Sequence, residues 1–122
     1  MFRSGSIRYW GRHGNKYGAK RTECLSGHWH NSGLEARVCD ELRLRGIAGE
    51  IHGYEIEKTI RLELEGVKLG TYRVDFVVEH LNGSLEFVEA KGIPLPAWKM
   101  KWAILQAMYK NDPRTQFRVV TK

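Results

Sequence analysis

The chain has 122 residues, with 20 Lys plus Arg against 14 Asp plus Glu, a formal charge of +6 at neutral pH and 42% apolar residues. That is one domain's worth of chain, able to bury roughly two-thirds of its unfolded surface without staples, and it leaves no room for a second domain. Two cysteines cannot build a disulfide framework, no apolar run nears the roughly 20 residues that span a bilayer, and Met1 to Trp10 lacks the apolar stretch of a signal peptide, so a soluble protein of a reducing interior is expected.

Residues 1–31 read as a basic N-terminal arm. Gly5, Gly11, Gly14, Gly18 and Gly27 recur without helical or strand period, and Phe2, Tyr9, Trp10, Tyr17 and Trp29 are interleaved with bases. Ser32 and Glu35 form a capping box for a helix to about Arg45, with Leu34, Val38 and Leu42 on one face and Gly46 as its stop. From Tyr54 to Leu64 the apolar residues Tyr54, Ile56, Ile60, Leu62 and Leu64 fall on even positions, which predicts a strand with one wet face. A turn at Gly66 to Gly70 leads to a second strand, Tyr72 to Glu79. Asn82-Gly83 then signals a hairpin to a third, Ser84 to Lys91. Gly92, Pro94 and Pro96 break the chain before a helix from Ala97 to Tyr109, with Trp98, Trp102, Leu105 and Tyr109 on one face; after Asp112-Pro113 a last strand runs from Gln116 to Val120. The order helix, three strands, helix, strand predicts an α/β fold with a mixed sheet flanked by helices, over residues 32–122.

Charge is unevenly placed along this order. Residues 1–30 hold six bases against Glu23, residues 90–122 hold seven against Asp112, and the span from Glu35 to Glu89 holds twelve carboxylates against seven bases. A polyanion drawn to the flanks would be repelled by the centre unless a cation intervened, which directs attention to a metal and to nucleic acid. Arg12, Lys16, Tyr17, Lys20 and Arg21 in the arm, with Lys99 and Lys101 at the start of the second helix, are the candidate DNA contacts.

Asp75 and Glu89 stand among core-forming residues, in Tyr-Arg-Val-Asp-Phe-Val-Val and Phe-Val-Glu-Ala-Lys-Gly, where a charge is costly unless used. Two close carboxylates make a hard-oxygen site for Mg²⁺ or Mn²⁺, and Lys91 is available to orient water or stabilise an oxyanion. Hairpin counting opposes this. If Asn82 and Gly83 are the two turn residues, opposed positions sum to 165, Asp75 faces Ala90, and Glu89 with Lys91 points to the other side; a bulge or twist is required to unite them. The bland alternative makes Asp75 an ordinary polar residue and Glu89 with Lys91 a surface pair. Glu35 is explained by capping alone or by service as a further metal-side carboxylate.

The helix bearing Glu35, then Asp75, then Glu89-Ala90-Lys91, then helix and strand, resembles the PD-(D/E)xK superfamily of restriction-endonuclease-like nucleases. A longer resemblance, through Asn15 to Lys20, Ser32 to Ala36, Asp75-Phe76, Glu89 to Gly92, Lys99 to Trp102 and Phe117 to Val120, is to a family of small phage-encoded, Holliday-junction-resolvase-like proteins. It implies a restriction-endonuclease-like core and a Mg²⁺- or Mn²⁺-dependent endonuclease acting on DNA, branched DNA included. It implies Asp75, Glu89 and Glu35 as ligands, Lys91 as the catalytic lysine, convergence of Asp75 with Glu89, a homodimer, and a phage protein working in the host cytoplasm. A DNA-binding or structural phage protein without catalysis is the alternative on the same fold.

Gln106 with Tyr109 is similar to a glutamine and tyrosine pair of some exonuclease branches, but a core role for Tyr109 is favoured. Trp98 and Trp102 read as core or dimer contacts. Cys24, His28, His30 and Cys39 are of the right type for zinc, but their irregular spacing, with Cys39 inside a helix, favours solvated histidines and a buried helix cysteine. No phosphate-binding glycine loop is present.

Overall fold

The computed structural model describes residues 20–121. The elements are β1 (Thr22–Glu23), β2 (Trp29–His30), α1 (Gly33–Ile47), β3 (Ile51–Leu64), β4 (Val67–His80), β5 (Leu85–Ala90), α2 (Pro96–Met108) and β6 (Thr115–Val120). The fold is α/β: β1 and β2 form a two-stranded sheet, and β3-β4-β5-β6 form a mixed sheet in that order, antiparallel except for the parallel pair β5 and β6. The residues group into two compact units that divide between Asp40 and Glu41, within α1. Among the described residues no helix is long and apolar enough to cross a membrane.

In the first unit, the described part of the segment expected to be irregular contains a small hairpin. Thr22 pairs with His30 and Glu23 with Trp29, and the turn closes through Cys24 N–H to His28 O at 2.8 Å and Gly27 N–H to Cys24 O at 3.0 Å. Strands of two residues leave no alternation to detect. Helix α1 starts as its capping signal predicts, with Glu35 N–H donating to Ser32 Oγ at 3.1 Å. Leu34, Val38 and Leu42 form its buried stripe.

The stop of α1 lies three residues beyond Gly46. Glu50 N–H bonds to Arg45 O at 2.9 Å and Gly49 N–H to Gly46 O at 3.1 Å, with Gly49 at φ 75. This is a Schellman closure, and it requires the left-handed residue at Gly49 rather than at Gly46. β3 and β4 then form a hairpin of 14-residue strands, longer than the sequence pattern suggests at both ends. Glu65 and Gly66, at φ 53 and 79, make the tight turn between Leu64 and Val67, so residues expected in a loop up to Gly70 are already strand.

The core of the second unit joins Leu62, Tyr72, Val74, Val77, Phe87, Trp102 and Leu105, with Trp98, Tyr109 and Phe117 packed against it. Its aromatic rings interlock: Phe87 stacks on Phe117 at 5.4 Å, Trp98 on Trp102 at 5.7 Å, and Trp102 meets Phe117 edge-on at 5.6 Å. Such pairs add about 0.5–1.5 kcal/mol each beyond burial. They hold α2 against the sheet and fix Trp98 over the end of β5. Buried Glu86 is satisfied by His80 Nε2 and Arg118 Nε, each at 3.0 Å.

Candidate active site

The β4-β5 register decides where the acidic side chains lie. The ladder pairs Glu79 with Leu85, Val78 with Glu86, Val77 with Phe87 and Phe76 with Val88, so opposed positions sum to 164 rather than 165. The cause is the turn. His80 N–H bonds to Ser84 O and Gly83 N–H to His80 O, both at 2.9 Å, and Gly83 has φ 85. This is a three-residue loop, Leu81-Asn82-Gly83, with Gly83 in the left-handed bulge position, not a two-residue turn. A one-residue slip moves every side chain to the other face. Asp75 therefore stands level with Glu89, and the expectation that they lie on opposite sides is corrected without any further bulge between them.

At this level the two strands part. The N–H of Ala90 donates to Asp75 Oδ2 at 2.9 Å, so a side-chain carboxylate replaces the next rung of the ladder. Ala90 remains tied to β6 by pairing with Val120, and Lys91 N–H follows by donating to Val120 O at 2.9 Å. Lys91 shares a side with Glu89 by alternation, and its charge acts on both Asp75 and Glu89. The structure thus brings Asp75, Glu89 and Lys91 together.

Glu89 is only 2% exposed. Its Oε1 accepts from Trp98 Nε1 at 3.2 Å, the same indole nitrogen lying 2.8 Å from Tyr72 Oη, and its Oε2 has no hydrogen-bond partner among the described residues. Burial pushes the carboxyl up to about 7, against the opposing pull of the Lys91 charge, the Trp98 N–H and the Asp75 backbone amide. Burial likewise raises Asp75 to about 6, although the Ala90 N–H and Lys91 favour its charged form. The Lys91 ammonium sits 5.3 Å from the centre of the Trp98 ring, so one tryptophan supports two members of the group.

A third carboxylate escaped the sequence pattern. Ile56 pairs with Phe76 and Lys58 with Val74, so Glu57 occupies the place level with Asp75 but is not laddered to it, and it has φ 55. Left-handed backbone is uncommon for glutamate and gathers at functional sites. Its charge further raises Asp75. Lys58, which interrupts the apolar even positions between Tyr54 and Leu64, is the sequence signal of this irregularity.

Glu35 belongs to the first unit, where its nearly buried carboxylate lies 3.9 Å from His30 Nδ1. Lys20 and Arg21 are exposed there, with Arg21 at 5.8 Å over the Trp29 ring. Arg12, Lys16 and Tyr17 lie outside the described residues. Lys99 and Lys101 are exposed on the first turns of α2, Lys101 Nζ donating to Thr71 O at 3.2 Å. Gln106 is exposed, while Tyr109 packs on Phe87 at 5.3 Å, in keeping with a core role.

Residues 14–119 match the model of a family described as protein of unknown function (DUF1064). The chain belongs to the DUF1064 family. No curated protein matches it. Within this DUF1064 chain, the matched span includes Glu35, Glu57, Asp75, Glu89 and Lys91. A hard divalent cation fits the chemistry of Asp75 and Glu89: two carboxylates, one with an orphaned buried oxygen, both disfavoured as unpaired anions by burial.

Proposed function

We propose that this protein is a metal-dependent endonuclease that hydrolyses DNA phosphodiester bonds, with Asp75 and Glu89 holding Mg²⁺ or Mn²⁺ and Lys91 serving the reaction beside them. The observation that carries this reading is the placement of Asp75 level with Glu89 where their strands part, with the Lys91 charge acting on both. When bound, the cation supplies an acidified water and neutralises charge on the phosphate. Trp98 orients Glu89 through Oε1 and leaves Oε2 to face a ligand, while Ala90 N–H fixes one oxygen of Asp75. Lys91 offers an ammonium donor for the attacking water or a phosphate oxygen, held near the Trp98 ring.

The resemblance of these motifs to PD-(D/E)xK nucleases supports the same chemistry and suggests branched DNA, a homodimer and a phage protein acting in the host cytoplasm. The exposed Lys99 and Lys101 supply cationic groups on the helix that carries Trp98.

The test is cleavage of single-stranded, duplex, flapped and four-way-junction DNA at equal ionic strength with Mg²⁺ or Mn²⁺. Asp75→Asn, Glu89→Gln and Lys91→Ala should each abolish cutting while retaining most DNA affinity. Glu35→Gln in the same panel tests the further ligand that the resemblance adds. Nicking that persists in all of the Asp75, Glu89 and Lys91 variants rejects the assignment. Binding without cutting by the parent chain favours a DNA-binding protein on this fold instead.

A further inference from the structure

The four residues whose spacing argued against a metal site meet in the first unit. One ligating atom each from Cys24, His28, His30 and Cys39 lies within 4.8 Å of all the others. The turn of the β1-β2 hairpin supplies Cys24 and His28, β2 supplies His30, and α1 supplies Cys39. His30, Cys24 and Cys39 are buried and His28 is exposed, so the expected solvated histidine and buried helix cysteine hold at His28 and Cys39, while the buried His30 corrects the expectation. No disulfide joins Cys24 and Cys39.

We propose that Cys24, His28, His30 and Cys39 form a structural zinc site that clips the β1-β2 hairpin to α1. Ligand type and number are those of a closed Cys₂His₂ centre, with no position left for substrate. The spacing of the donors supports this. Zn–S bonds of about 2.3 Å and Zn–N bonds of about 2.05 Å at tetrahedral angles set a sulfur-to-nitrogen edge of about 3.6 Å. His28 Nδ1 stands 3.7 Å from Cys24 Sγ and 3.5 Å from Cys39 Sγ. The His30 ring also has a carboxylate near it, with Glu35 Oε2 3.9 Å from Nδ1.

The energetics supply a reason for such a clip. Two-residue strands joined by a turn are not stable alone, and the described part of this unit buries few large apolar side chains. Four ligands drawn from 16 residues of chain, Cys24 to Cys39, would hold a hairpin and a helix turn in one arrangement and convert binding energy into folding energy. Binding displaces the two thiol protons to solvent, with no change of oxidation state.

The test uses the full chain without a histidine tag. Metal analysis and native mass spectrometry should find one zinc per chain. Exchange into cobalt(II) should give the d–d bands of a tetrahedral ion and a thiolate charge-transfer band. Cys39→Ser and His30→Gln should each lose the zinc, whereas His52→Gln, at an exposed histidine of β3, should keep it. Because a ligand variant can fail to fold, the parent chain alone also decides: a cobalt spectrum without thiolate charge transfer overturns the proposal. So does a Cys24–Cys39 disulfide in freshly purified, unreduced protein, or an unchanged zinc content in folded Cys39→Ser and His30→Gln.

Discussion

Replacing Glu89 with Gln isolates the cost of a buried carboxyl. Its pKa of about 7, against an ordinary 4.5, means that the folded chain keeps a proton that the unfolded chain has already lost. Below pH 4.5 both states are protonated and Glu89 carries no penalty. From pH 4.5 to 7 stability falls by about 1.4 kcal/mol per pH unit, reaching about 3 kcal/mol above pH 7. Glutamine retains an oxygen to accept the Trp98 N–H and cannot titrate. The assay is urea unfolding of parent and Glu89→Gln at pH 5 and pH 8 in magnesium-free buffer. The parent should lose about 2.5 kcal/mol more than the variant between these pH values, a gap of about 10 °C in Tm. Asp75 titrates in the same direction in both proteins, so the difference between them is what reports on Glu89. Magnesium should restore the parent at pH 8 and leave the variant unchanged, because the ion binds the folded carboxylates. Equal pH dependence in the two proteins would refute the reasoning.

Two further outcomes probe the turn and the cationic helix. Gly83→Ala places a methyl at φ 85 and within 2.6 Å of Arg114 Nη2, which donates to Asn82 O. It should cost about 1–2 kcal/mol by urea unfolding, from the left-handed backbone, with further loss until Arg114 moves; equal stability would count against the bulged turn. Changing both Lys99 and Lys101 to Gln should reduce the slope of log affinity against log salt by roughly 2 on duplex DNA, and an unchanged slope would remove α2 as a phosphate contact.

The hairpin separates what the amino-acid order could and could not reveal. Alternating apolar residues located β3, turn and break signals placed β4, β5 and β6 after it, and the spacing of Leu34, Val38 and Leu42 located α1. Asn82-Gly83 located the turn but not its length. The dipeptide suits both a two-residue turn and a three-residue loop with glycine in the bulge position, and the choice inverts the side on which Asp75 lies. Here Asn82 Oδ1 also accepts from Ser84 N–H at 2.9 Å and Ser84 Oγ at 2.7 Å, local bonds that hold the longer loop. Glu57 was hidden because its backbone leaves the strand region, and the Cys/His group because its spacing follows a turn and a helix rather than a repeating motif.

Trp98 gives the molecule a built-in optical reporter. Its indole touches Glu89 by hydrogen bond and Lys91 by its π-face, and it stacks on Trp102 closely enough for excitation to pass between the rings. A change of charge on either neighbour alters the field across the excited-state dipole. Of the four tryptophans, Trp98 is the one whose emission should therefore shift with events at Glu89, so a label-free titration with ions or oligonucleotides reads that site on the native chain.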